Sequence, residues 1–275
     1  MSREPQSQYL EDARGHIHYQ VCGNGPWVVL CHALGTHLGI WTDLVAPLSR
    51  SCSVITFDLR GHGRSAPAAD EDYSFEAMAA DVRGLLQHVG ARSAAVIGIS
   101  VGGEVAQVFA AQYPQLVRSL VLCSTACVTG AERAVLWQRR MDEIEATGMS
   151  ALASASVERW FTEEFRARHA ATVDAFRRSL AAIAPRVYIS MARTIQRMDL
   201  RPRIRGLSCP TLVICGDGDA NTGPEAARII VRNIRGAELS VIQGVAHFPN
   251  LEAPERFNRL VLEWLDPQKQ QAAAP

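Results

Sequence analysis

The stretch 93-SAAVIGISVGGEVAQ-107 decides how the rest of the chain is read. It opens on an apolar run, Ala94, Ala95, Val96 and Ile97, that reads as a short buried strand bounded by Gly98. From Val101 onward apolar residues recur at helical spacing (Val105, Val108, Phe109), so strand gives way to helix within about two residues. A turn that sharp strains its central residue and leaves little room for neighbouring side chains. Glycine at positions 98 and 102 relieves the crowding, and Ser100 is left exposed at the apex. A bare G-x-S-x-G string also arises by chance, and a packing turn whose serine merely caps the helix looks the same. The surrounding sequence has to supply the context.

Seven apolar, β-branched runs stand out: HIHYQVC, PWVVLCH, SVITFD, AAVIGI, RSLVLCS, PTLVICG and ELSVIQG. Several are near-continuous rather than alternating, as expected of strands buried on both faces of a parallel sheet. Helical patterns lie between most of them; FEAMAADVRGLLQHVG repeats at i, i+3, i+4 and ends on Gly90, a predicted C-cap. Alternating strand and helix predicts an α/β fold, a mostly parallel central sheet with helices on both faces. Between SLVLCSTA and CPTLVICG the alternation stops. Residues 129–205 read as helices alone, rich in Ala, Arg, Met and Trp, and are expected to form a helical cap over a core made of residues 1–128 and 206–275. The tail PQKQQAAAP is expected to fray, and GEVAQVFAAQYPQLV reads as a packing helix that ends near Pro114.

A chain of 275 residues buries a substantial core. Its formal net charge is zero and it has no basic run, which argues against nucleic acid or an anionic membrane as partner. The N-terminus MSREPQSQYLEDARG is polar and charged, unlike a signal peptide, and no apolar run approaches the ~18 residues of a spanning helix. Cys22, Cys31, Cys52, Cys123, Cys127, Cys209 and Cys215 include no C-x-x-C pair, and several sit in apolar runs, as buried small hydrophobes of a reduced protein do. The expectation is a cytoplasmic globular protein.

Serine is a weak nucleophile at neutral pH and needs a base, and the base needs a carboxylate to orient it. Downstream of Ser100 lie His169, in the polar stretch FRARHAATV and expected in solvent, and His247, directly after the last predicted strand. An acid is needed at a strand end between them, and PTLVICGDGDANTGP supplies Asp217 and Asp219. Asp219 is preferred for its longer reach; Asp217 stays open, since Asp beside Gly is also a turn signal. Backbone N–H groups suffice to hold an oxyanion. Val101, after the serine, is one candidate, and Leu34, in the loop CHALGTHLGIW, the other. His32 at the start of that loop is open as a catalytic base, but a structural role, hydrogen-bonding the loop into shape, is the preferred reading. FDLRGHGRSAP lacks a dinucleotide fingerprint's third glycine, so it reads as a tight loop with a structural His62. No cofactor or metal is called for.

With these residues assembled, residues 15–266 resemble the α/β-hydrolase superfamily, in which serine, acid and histidine follow in that order. Within it the chain is similar to 3-oxoadipate enol-lactonases of aromatic-compound catabolism, in LGTHLGIW, FDLRGHGRSAP, GISVGG, VRSLVLCSTA, LWQRRMDEIEATGMSALA, ERWFTEEFRARH, RMDLRPRI and GVAHFPNLEAPERFN. FDLRGHGRS and GISVGG recur across the superfamily; the pieces from the expected cap are more specific. The resemblance implies a Ser100–Asp219–His247 triad, the G-x-x-D pattern from Gly216 favouring Asp219. The chain departs from the enol-lactonase pattern at His32 and Ala33, in place of Asn-Ser, and at Val101, in place of Met. These positions bear on the substrate rather than on the reaction.

The implied activity is hydrolysis of a small carboxylic ester or lactone through an acyl-enzyme. A general carboxylesterase or a carbon–carbon hydrolase on the same triad is the alternative, and a ligand-binding or cofactor-free oxidative protein of the same fold the second. In the cap stretch AVLWQRRMDEI, Trp137, Arg140 and Met141 share one helix face. Trp137 and Arg140 are therefore candidate substrate-binding residues, the arginine for a carboxylate on the substrate. The competing reading has Trp137 and Met141 packing the cap and Arg140 pairing with Glu143.

Overall fold

Each of the seven apolar runs is a strand in the computed structural model, which describes residues 6–266. The expected frayed tail lies outside the described residues. Along the chain the strands are β1 (Gln8–Asp12), β2 (Gly15–Cys22), β3 (Trp27–Cys31), β4 (Ser53–Phe57), β5 (Ala94–Ile99), β6 (Val117–Cys123), β7 (Thr211–Gly216) and β8 (Glu238–Ile242). They form one sheet in the order β1-β2-β4-β3-β5-β6-β7-β8. β1 and β2, and β2 and β4, pair antiparallel, whereas every pairing from β4 to β8 is parallel. β1 had no counterpart among the predicted strands. Its sequence QYLED is largely exposed and pairs only with β2, so it carries no apolar run to read.

The continuous apolar strands are explained by two cores, one on each sheet face. In β3, Val29 and Cys31 face one cluster while Val28 and Leu30 face the other; in β5, Ala94 and Val96 oppose Ala95, Ile97 and Ile99. Period-two alternation thus divides residues between two apolar layers rather than between core and water. Phe75–His88, N-capped by the Ser74 hydroxyl, packs on the first face. Gly90, just past its end, takes a φ of +73° and donates to the carbonyl of Gln87, as a glycine that stops a helix does. Pro254–Leu265 packs on the second face. Cys31, Cys123, Cys127 and Cys215 are buried and unbridged.

Between β6 and β7 the chain leaves the sheet. It forms the helices Ala131–Thr147, Met149–Trp160, Glu163–Arg168, Ala170–Ala181, Pro185–Gln196 and Arg201–Ile204. A single bridge, Val128↔Asp199, ties the two ends of this excursion together. Phe161, just after the helix Met149–Trp160, and Phe176 pack their rings against Phe248, which follows β8, at 5.3 and 5.1 Å between centroids. Among the described residues no helix is long and apolar enough to cross a membrane.

Parallel pairing brings the C-terminal ends of β3, β5, β6, β7 and β8 to one edge of the sheet. The loops carrying Leu34, Ser100, Asp219 and His247 all leave from that edge, where α/β sheets gather their chemistry.

Candidate active site

Ser100 sits between β5 and the helix Val101–Gln112 with φ of +54° and ψ of −123°. A non-glycine residue at such angles is strained and persists only where its surroundings hold it. They do so closely. A methyl on Gly98 would strike the backbone of Gly102, and one on Gly102 would strike the carbonyl of Cys31. The Ser100 N–H donates to the carbonyl of Cys123, and its own carbonyl accepts from Gly103 N–H, Glu104 N–H and the Thr125 hydroxyl. The serine lines a cavity together with Val101, Leu34 and His247.

His247 follows β8, and its Nδ1 lies 2.8 Å from Oδ2 of Asp219, beyond the end of β7. The carboxylate is saturated. Oδ1 accepts the backbone N–H groups of Asn221 and Thr222, and Oδ2 accepts the Thr222 hydroxyl as well as the imidazole. Burial pushes this carboxyl up, but the charge of His247 and these hydrogen bonds outweigh it and hold the group down at about 2. An ionised Asp219 accepts the Nδ1 proton and so leaves Nε2 as the basic nitrogen. Asp217, the other strand-end acid, is exposed and instead takes the N–H of Gly244 within its turn. His169 is exposed and stacks on Phe165.

The His247 ring is fixed from behind. Its backbone N–H donates to the carbonyl of Trp160, whose indole stacks on the imidazole with centroids 6.5 Å apart, and Phe248 closes the edge at 5.0 Å.

The loop after β3 is held by two neutral histidines. His32 Nε2 accepts the N–H of Leu59, so Nδ1 carries the proton and donates to the carbonyl of Ala33. His62 Nε2 accepts the N–H of Gly35, and its Nδ1 donates to the carbonyl of Arg60. Burial pushes these imidazoles down to about 4 and about 3, so neither titrates near neutrality. Leu34 lies between the two anchors. The Val101 N–H belongs to the first turn of its helix, where amides lack intrahelical acceptors.

From the helix Ala131–Thr147, Trp137 and Arg140 both line the cavity, with the guanidinium 4.7 Å from the centre of the Trp137 ring. Met141 is buried on the same face, whereas Arg139 and Glu143 are exposed. Two further arginines, Arg133 and Arg159, line the same cavity, and burial lowers both of their pKa values. Sequence reading passed over these two, since an arginine's spacing on a helix does not reveal how deep its guanidinium lies. It also passed over Glu104. The helix carrying it read as packing alone, yet Glu104 is 3% exposed and lines the cavity. A lone charge inside the apolar run GGEVAQVFAA was the available signal. Among the described residues no cluster of three or more His, Cys, Asp or Glu could hold a metal ion.

Comparison with known proteins gives a consistent picture. The family profile described as alpha/beta hydrolase fold matches residues 26–254. The 3-oxoadipate enol-lactonase 2 of Acinetobacter baylyi is 30% identical over 236 residues, covering 86% of this chain and 87% of that protein. The crystal structure of the enol-lactonase from Burkholderia xenovorans LB400 superposes with a TM-score of 0.88 at 32% identity, covering 94% of this chain and 99% of the other. A thermophilic esterase from Thermogutta terrifontis, solved with malate bound, superposes at 0.86 with 29% identity, covering 96% and 99%.

Proposed function

This chain belongs to the α/β-hydrolase family, and from that premise we propose that it is a serine hydrolase of a small carboxylic ester or lactone bearing a free carboxylate, similar in action to a 3-oxoadipate enol-lactonase. One observation carries the reading. A strained Ser100 shares one cavity with three arginines and with His247, whose Nδ1 is held by the buried Asp219 behind it.

In this reading Ser100 Oγ attacks the carbonyl carbon while His247 Nε2 takes its proton. Asp219 holds the imidazole and stabilises the imidazolium. The oxyanion accepts the N–H groups of Val101 and Leu34, which are fixed before substrate arrives and cost no reorganisation. Collapse expels the alkoxide or enolate, which receives the proton from His247. Water, deprotonated by the same nitrogen, then cleaves the acyl-enzyme. No step calls for a cofactor or metal.

Residues 129–205 serve as a cap that closes the cavity above the sheet edge. Arg140, poised over Trp137, binds the carboxylate of the substrate. Arg133 and Arg159 supply a positive surround that raises local anion concentration. The malate-bound esterase among the structural relatives adds support for an anion-tolerant fold of this kind.

A fluorophosphonate probe followed by peptide mapping tests the mechanism: labelling at Ser100, lost in Ser100→Ala, is expected. Absence of labelling in folded protein overturns it. Turnover across a panel of lactones and esters, each with and without a carboxylate, then ranks the substrates.

A further inference from the structure

Glu104 is the one acidic side chain lining the cavity among the described residues, and the mechanism above does not use it. It stands in the first turn of the helix that Ser100 caps, its N–H donating to the Ser100 carbonyl at 3.1 Å. Glu104 and Ser100 both line the same cavity. Glu104 is 3% exposed, and its Oε2 has no hydrogen-bond partner. An unpartnered buried carboxyl is costly to keep, and the cavity is the side from which a partner can come.

Burial pushes this carboxyl up to about 8, against the pull of the Arg133 guanidinium. Burial pushes the nearby Cys127 thiol up to about 11, so it stays neutral. The other titratable or charged groups on the cavity wall are Arg140, Arg159, Tyr188 and His247.

We infer that Glu104 is a specificity residue that donates a hydrogen bond, as a neutral carboxylic acid, to a carbonyl oxygen on the acyl part of the substrate. Since Glu104 and Ser100 line one cavity, an oxygen a few carbons along the acyl chain from the scissile carbonyl is the one to test. The preferred acyl group is thus oxygenated within the chain, in addition to whatever arm the arginines bind. This inference rests on the serine-hydrolase reading and deepens it.

The test compares 4-nitrophenyl pentanoate with 4-nitrophenyl 4-oxopentanoate at pH 7 in wild type, Glu104→Gln and Glu104→Met. Wild type is expected to favour the oxo ester in kcat/KM by roughly tenfold to a hundredfold, as for a site that loses a buried hydrogen bond with the plain analogue. Glu104→Gln keeps an N–H donor of the same length and keeps most of that ratio. Glu104→Met, of similar length but without a donor, brings the ratio toward one. Should Glu104→Met fail to fold, Glu104→Ala takes its place in the same measurement.

A wild-type ratio near one, or a ratio that survives Glu104→Met, overturns the inference. So does a wild type that disfavours the oxo ester while Glu104→Gln favours it, because that pattern marks an ionised, acceptor-only carboxylate. Fluorophosphonate labelling of wild-type Ser100 separates the two levels. Labelling with a flat ratio overturns this inference alone, and no labelling with no turnover overturns it together with the hydrolase reading.

Discussion

Oδ2 of Asp219 receives two donors at once, the imidazole of His247 at 2.8 Å and the hydroxyl of Thr222 at 2.8 Å, with the aspartate side chain wholly buried. A carboxylate so fully engaged cannot swing away from the ring it orients. Imidazole direction is therefore set by the end of β7 and does not depend on substrate binding.

Removing members of this unit should give unequal and non-additive losses. Ser100→Ala and His247→Ala are each expected to lower kcat by about 10⁶, and Asp219→Asn by about 10⁴. The triple variant should be little worse than Ser100→Ala. Asp217→Asn, which disturbs only the turn at Gly244, should leave kcat within a few-fold of wild type. Losses that add up across the three positions, or a larger loss at 217 than at 219, would contradict this assignment.

The same carboxylate links stability to acid. Its folded pKa of about 2 lies below the ordinary 3.8, so its contribution is fully present above the ordinary value and disappears as pH falls through about 2. Each unit of depression is worth about 1.4 kcal/mol. Urea unfolding of wild type and Asp219→Asn should show a stability gap that narrows between pH 4 and pH 2. A gap that stays constant or widens over that range counts against it.

Glu104 makes the opposite link. A carboxyl raised to about 8 binds its proton more tightly folded than unfolded, so it lowers stability as pH rises from its ordinary 4.5 toward 8. Glu104→Gln cannot ionise. It should therefore gain on wild type in unfolding free energy as pH goes from 5 to 8.5, by about 1.4 kcal/mol for each unit of the shift. Parallel pH profiles for the two proteins would refute this.

Backbone strain at Ser100 can be measured directly. Glycine adopts a φ of +54° without penalty, so Ser100→Gly should stabilise the fold by about 1 kcal/mol while abolishing turnover. Ser100→Ala keeps the Cβ and hence the strain, and should not gain. Equal denaturation midpoints for the two variants would mean that the turn is relaxed.

For Arg140, the expected signature is selectivity. Arg140→Ala should weaken binding of a carboxylate-bearing ester by about 1.5–3 kcal/mol, the range of a charge-assisted hydrogen bond, and affect its neutral analogue much less. KM and kcat measured on both substrates decide the point. Equal effects on the two would return Arg140 to a packing role over Trp137.

What the sequence made legible follows from physics that acts locally. β3, β5, β6 and β7 announce themselves because both faces are apolar, whereas β1 has one neighbour and two wet faces and announces nothing. Ser100, Asp219 and His247 were within reach because each lies a few residues beyond a strand end. Gly98 and Gly102 were legible because crowding leaves no other residue possible. Arg133, Arg159 and Thr222 were not: their importance is set by what faces them across the cavity, and no local pattern encodes that. Glu104 lies between the two cases. Its position one turn after Ser100 was visible, but its isolation shows only when the surrounding side chains are packed around it.

Trp160 belongs to the helical excursion, yet its carbonyl accepts the His247 N–H and its indole presses against the Gly35 loop and the imidazole alike. Lifting that part of the excursion off the sheet would strip His247 of this support and loosen the Gly35 loop in the same motion. At the other end, Leu136 lines the cavity while being 45% exposed, and Val135 beside it is 52% exposed. Leu136 lies on a different helix from Trp160, so movement of its side chain need not disturb the Trp160 contacts to His247 and Gly35.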